Sequence, residues 1–93
     1  SSSKSALVGM ARSLTRELGG RGITANVVAP GFIDTDMTAE LAEDTIAKFK
    51  SQIPAGRFGL PEDIAAAVSY LVSPAASYVT GTTIHVNGGM YLP

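Results

Sequence analysis

The chain has 93 residues, 45% of them hydrophobic and 16% charged, with a formal charge of −1. No basic excess points to nucleic acid, no charge block reads as a tail, and without cysteine there are no disulfides or thiolate metal sites. No apolar run approaches the roughly 18 residues that span a bilayer, and the first residues carry no cationic region ahead of an apolar core. The chain opens without methionine and inside a helical pattern, as expected of a piece cut from something longer.

The spacing predicts a helix over residues 1–18. Ala6, Leu7, Met10, Ala11, Leu14 and Leu18 recur three and four apart and form one apolar stripe, with Arg12, Arg16 and Glu17 largely off it. Gly9 costs about 1 kcal/mol relative to Ala in a helix interior, which predicts a tight contact there. Gly19, Gly20 and Gly22 are expected to end the helix, because glycine readily takes the left-handed capping conformation.

Residues 24–38, TANVVAPGFIDTDMT, are the stretch around which the rest is arranged. Residues 25–29 are uncharged and include Val27 and Val28, as suits a parallel strand covered on both faces. Pro30 lacks an N–H and is expected to stop the strand. Gly31 is expected to supply backbone freedom and close approach to a ligand. Ligands of open α/β sheets bind just beyond the carboxyl ends of strands, so a ligand is expected here, with Phe32 and Ile33 giving apolar contact and Thr35 a hydroxyl.

A second helix is predicted over residues 39–50, capped by Asp36 or Thr38, with acids first and lysines last as the helix dipole prefers. Its apolar face (Leu41, Ile46, Phe49) is thin, which reads as either a lid over the ligand site or a plain surface helix. Residues 53–60 read as a loop. Pro61, Glu62 and Asp63 open a third helix with buried stripe Ile64, Ala67, Val68, Leu71 and Val72, ended by Ser73-Pro74. Residues 75–78 read as a helical turn and residues 83–86 as a second strand, followed by the turn Asn87-Gly88-Gly89.

Two buried-type strands joined through helices imply a right-handed parallel crossover. Two strands are not a closed sheet, however: its edges stay open and the helix stripes uncovered. The expected fold class is α/β, the C-terminal part of a doubly wound Rossmann-type parallel sheet with helices on both faces. Residues 1–93 then form one portion of a single NAD(P)-binding domain whose nucleotide-binding half is absent.

Four segments at these spacings carry a resemblance: SSSKSA at residues 1–6, RGITANVVAPGFIDTDM at 21–37, GRFGLPEDIAAAVSYL at 56–71 and YVTGTTIHVNGGM at 78–90. Together they resemble the C-terminal portion of the short-chain dehydrogenase/reductase family. Within it, PGFIDTDM and TGTTIHVNGGMY are most like the 3-oxoacyl-(acyl-carrier-protein) reductases. The resemblance implies hydride transfer from NADPH to the keto group of a 3-oxoacyl thioester in fatty acid synthesis, in a cytoplasmic homotetramer. The choice of NADPH over NADH stays open, because it is made near the adenosine ribose by residues not present here.

The family pattern is Tyr-x-x-x-Lys. Lys4 fits the lysine, and the tyrosine falls immediately before Ser1, outside the chain; the family's catalytic serine, asparagine and glycine-rich loop also lie upstream. The 93 residues alone are therefore expected to be inactive. A tyrosine has an ordinary pKa of about 10. An ammonium four residues on, along one helical face, favours the phenolate. By the same likeness Lys4 also bonds the nicotinamide ribose, and Pro30, Gly31, Ile33 and Thr35 carry the nicotinamide-side contacts, with the Ile33 backbone on the carboxamide. Residues 37–49 would cover the acyl chain.

Two alternatives stay open: a short-chain dehydrogenase for another alcohol or ketone, and a non-catalytic assembly fragment using the first helix and the last strand. Arg12, Arg16 and Arg21 read as solvent-exposed charge before they read as a docking face for an acidic carrier protein, with Arg21 the best placed of the three. His85 reads as structural, without metal-ligand companions. Asn26 needs partners inside its strand, and Tyr70 and Tyr78 read as packing residues.

Overall fold

The structure, a computed structural model, describes residues 2–90, with side chains from Ser5 onward. It holds helix α1 (Ser2–Leu18), strand β1 (Val27–Pro30), helix α2 (Glu43–Ser51), helix α3 (Pro61–Leu71) and strand β2 (Thr83–Val86). β1 and β2 pair in a two-stranded sheet. The Val27 N–H donates to the Thr82 carbonyl and the Gly31 N–H to the Val86 carbonyl, each at 2.9 Å. The same offset separates both pairs, so the strands run parallel. The expected α/β class with parallel strands and helices is thus observed.

The chain divides into two compact units. One gathers Ser1–Val28 and Ala67–Ile84, the other Ala29–Ala66 and His85–Pro93. In the first, α1 ends in a 3-10 turn, Gly19–Arg21, and Gly22 follows in the left-handed conformation with its N–H returned to the Gly19 carbonyl. The expected capping by glycine is what the structure has. The apolar stripe of α1 stays largely open: Ala11 is buried, but Leu7 and Met10 are 49% and 54% exposed. A Cβ on Gly9 would meet nothing within 4 Å, so the tight contact expected there is not made within this chain. α3 likewise buries no residue, and Val72 and Tyr78 stand exposed.

Besides the buried Ala11 and Ala76, side-chain hydrogen bonds link the segments of this unit. Asn26 donates from Nδ2 to the Val79 carbonyl at 3.0 Å and accepts the Thr82 N–H on Oδ1 at 3.1 Å. One side-chain amide thus tethers the chain entering β2, the partnering that an Asn in this position requires. The Thr80 hydroxyl accepts the Ala25 N–H at 3.0 Å. Because residues 25 and 26 are held by side chains in this way, β1 begins two residues later than the pattern predicts. It also ends one residue later: Pro30 is its last residue, and needs no N–H in the ladder at a strand end.

In the second unit Ala29, Ile53 and Phe58 are buried. Phe32 packs on Phe49 with centroids 4.8 Å apart and meets Phe58 edge-on at 6.1 Å, an arrangement that aromatic quadrupoles favour. The helix predicted over residues 39–50 is split into a 3-10 turn, Thr38–Glu40, and α2. Neither Asp36 nor Thr38 caps α2. Its N-cap is Ala42, with no side-chain hydrogen bond, because the Thr38 hydroxyl is used inside the preceding loop.

Candidate functional site

Four of the five predicted site residues lie on one continuous segment of the second unit. Pro30 is exposed at the end of β1, Gly31 and Ile33 are half-buried, and Thr35 is exposed. Gly31 is not among the residues with positive φ. A Cβ built on it would stand 2.7 Å from the Asn87 Cβ and 2.8 Å from the Asn87 Cα. The glycine is therefore required by close approach of the turn after β2. The space that a side chain on Gly31 would fill is taken by Asn87.

Beyond Gly31 the segment meets the 53–60 loop. Ile33 and Gly59 form a parallel bridge: the Gly59 N–H donates to the Phe32 carbonyl at 2.9 Å, and the Asp34 N–H donates to the Gly59 carbonyl at 2.7 Å. A bridge of this kind uses the groups flanking Ile33 and turns Ile33's own N–H and carbonyl to the opposite edge. A Cβ on Gly59 would lie 2.9 Å from Ile33 Cδ1, the far end of that side chain, so Ile33 would have to shift to admit one.

Thr38 shapes the next turn. Its hydroxyl oxygen accepts the Thr35 N–H at 2.6 Å, and the hydroxyl donates toward the Ile33 carbonyl at 3.4 Å. The outer edge of residues 33–35 therefore presents a backbone N–H beside the exposed Thr35 hydroxyl. Donor and acceptor groups so placed suit a planar, neutral amide.

The loop is fixed from behind by Asp63 in the first turn of α3. Its Oδ2 accepts the Leu60 N–H at 2.7 Å and Arg57 Nη1 at 3.2 Å, while Arg57 Nη1 also donates to the Phe58 carbonyl at 3.0 Å. An acid at the third helical position reaching back to the N-cap amide is one arm of a capping box. The Leu60 amide, and then the Arg57 side chain, hold the Asp63 carboxyl below its ordinary value. The sequence places Asp63 at the positive end of α3, but its partners Leu60 and Arg57 are missed; the spacing of the acid from the residue before Pro61 is the signal that could have found them.

A cavity of about 510 Å³ adjoins this loop, lined by Asp34, Thr38, Ile46, Lys50, Arg57 and Phe58 among others. Phe58 is its buried apolar part, and Lys50 Nζ lies 5.9 Å over the Phe58 ring. α2 buries no residue, in keeping with the thin apolar face read from its sequence.

Lys4 lies in α1, and its side chain is outside the described residues. Arg12, Arg16 and Arg21 are exposed. Tyr70 and Tyr78, expected to pack, are 48% and 100% exposed. Among the described residues no group of three or more His, Cys, Asp or Glu is gathered as a metal ion would need, and no helix is long and apolar enough to cross a membrane.

A family described as enoyl-(acyl carrier protein) reductase matches residues 1–91. The chain belongs to this family. It is also 57% identical over 89 residues to the 3-oxoacyl-[acyl-carrier-protein] reductase FabG of Salmonella typhimurium, covering 96% of this chain and 36% of that protein. The reductase of the same name from Escherichia coli is 56% identical over the same shares, and that from Aquifex aeolicus is 55% identical over 98% of this chain and 37% of its own length. The chain thus spans little more than a third of the relatives it matches. The resemblance to short-chain dehydrogenase/reductases, and within them to 3-oxoacyl reductases, is upheld.

Proposed function

We propose that this chain is the C-terminal portion of a doubly wound, NAD(P)-binding Rossmann-type domain, and that the whole protein is a 3-oxoacyl-(acyl-carrier-protein) reductase. One observation carries the site assignment: the bridge to Gly59 occupies the groups on either side of Ile33 and leaves the Ile33 N–H on the outer edge, just past the end of β1. That edge fits a nicotinamide carboxamide. In this reading Pro30 and Gly31 end the strand beneath the cofactor, the Ile33 backbone bonds the carboxamide and the Thr35 hydroxyl flanks it. When bound, NADPH supplies a hydride to the substrate carbonyl carbon.

Lys4 acts on the proton. Its ammonium lowers the pKa of the tyrosine that the family pattern puts immediately before Ser1, so that the phenol can protonate the developing alkoxide. The cavity beside Phe58 and Ile46 accommodates part of the acyl chain. The carrier protein, tetrameric assembly and cytoplasmic location belong to the same proposal, with Arg21 the first candidate for a carrier contact.

The family's description names enoyl reduction and the similar reductases name 3-oxoacyl reduction. Identity above one half to the latter favours the ketone. The test is NADPH oxidation by the full-length protein with acetoacetyl and crotonyl thioesters side by side. Turnover of the acetoacetyl thioester is expected. Turnover of crotonyl thioester alone, or of neither, overturns the assignment.

A further inference from the structure

Arg57, Leu60 and Asp63 form a polar cluster beside the 30–35 segment, and the reaction chemistry gives it no role. Asp63 is anchored by α3 and grips the Leu60 amide at 2.7 Å. Leu60 adjoins Gly59, which exchanges two backbone hydrogen bonds with residues 32 and 34. Ile33 sits between those two bonds, with its side chain against the bare Cα of Gly59. Any shift of Gly59 therefore moves the groups on both sides of Ile33 and re-aims the Ile33 N–H.

We infer that Asp63, braced by Arg57, is a positioning residue for the nicotinamide: it holds Gly59 against the segment and so sets the direction of the Ile33 amide. The inference rests on the proposed function, in which that amide meets the carboxamide. A bare helix cap would affect stability alone. A positioning residue also affects the affinity for the cofactor, because an amide aimed away from the carboxamide loses its hydrogen bond to it. Asp63 is charged at neutral pH as any aspartate of ordinary pKa is, and the Leu60 amide and Arg57 hold its carboxyl lower still.

The test uses the full-length protein with Asp63→Ala, Asp63→Glu and Arg57→Gln. Measured are the NADPH dissociation constant by nicotinamide fluorescence, KM and kcat, and hydrogen exchange at the Gly59 and Asp34 amides. In Asp63→Ala both amides should exchange faster, and the KM and dissociation constant for NADPH should rise about tenfold, with kcat changed by less than about twofold. Asp63→Glu should restore most of this, since glutamate serves at the same capping position. Faster exchange with unchanged NADPH affinity overturns the inference. Should Asp63→Ala not fold, Arg57→Gln decides, because that side chain is 61% exposed: unchanged NADPH affinity in this variant also overturns it. A wild-type protein that binds no NADPH overturns the parent reading, whereas normal wild-type binding with unmoved variants removes only the clamp's role.

Discussion

Gly31 and Asn87 approach so closely that a Cβ on Gly31 would lie 2.7 Å from the Asn87 Cβ. Backbone conformation does not demand this glycine, since its φ is not positive; the neighbour does. Gly31→Ala should therefore destabilise the full-length protein by about 1–3 kcal/mol, the usual cost of overpacking. Thermal or denaturant unfolding measures it. Combining the change with Asn87→Gly should recover part of the loss, because the two positions share one space. An unchanged melting temperature for Gly31→Ala would mean that the turn after β2 can move aside freely.

Asn26 gives a prediction with a pH signature. Its amide donates to the Val79 carbonyl and accepts from the Thr82 N–H. Asn26→Leu removes both bonds and leaves two backbone groups short of partners, at about 1–3 kcal/mol. Asn26→Asp keeps the acceptor but turns a carboxylate oxygen on the Val79 carbonyl. The protonated acid can donate there, so folding raises the pKa of the new carboxyl. The variant should be least stable at neutral pH and regain stability as pH falls through that raised value. Denaturant midpoints for Asn26→Asp that are flat between pH 7 and 4 would contradict this.

Much of this was legible because it rests on local rules. The helix α1, the glycine end at residue 22, the proline and acids opening α3 and the partnering of Asn26 all follow from residue type and spacing. What escaped depends on contacts distant in sequence. Nothing near Gly31 announces Asn87, 56 positions on. The pattern from residue 39 to 50 is helical throughout, yet Thr38 spends its hydroxyl on the Thr35 amide and the Ile33 carbonyl, and the helix starts afresh at Glu43. The bridge between Ile33 and Gly59 joins a strand end to a loop of proline and glycine, with no periodicity to mark it. The strand-end rule and the family motif singled out the expected site residues from Pro30 to Thr35; the loop bridged to them at Gly59 was not singled out.

The Asp63 clamp sets an acid limit. The Leu60 and Arg57 partners lower the carboxyl's pKa below its reference of 3.8. A group depressed by folding stabilises the native state fully above its unfolded pKa, and that contribution is lost as pH falls through the folded value. The stability gap between wild type and Asp63→Asn should be constant from neutral pH down to about pH 5 and should close only below about pH 4. Urea unfolding across this range measures it. A gap that closes between pH 6 and 7 would point to a group other than Asp63.

Lys4 is where the chemistry can be separated from folding. Lys4 lies in α1, one helical turn after the place of the family's tyrosine, and the proposed function gives it a task in the reaction rather than a part in stability. That task is to hold the reacting phenol ready to give up its proton. Lys4→Met in the full-length protein should lower turnover of an acetoacetyl thioester by about 10²–10⁴-fold, the range for losing acid–base assistance. NADPH binding should weaken as well, because the same ammonium is expected on the nicotinamide ribose. The melting temperature should stay near that of the wild type, which distinguishes lost chemistry from lost structure. Near-normal turnover by Lys4→Met would remove this lysine from the reaction, and the oxidoreductase reading would then have to find its proton elsewhere.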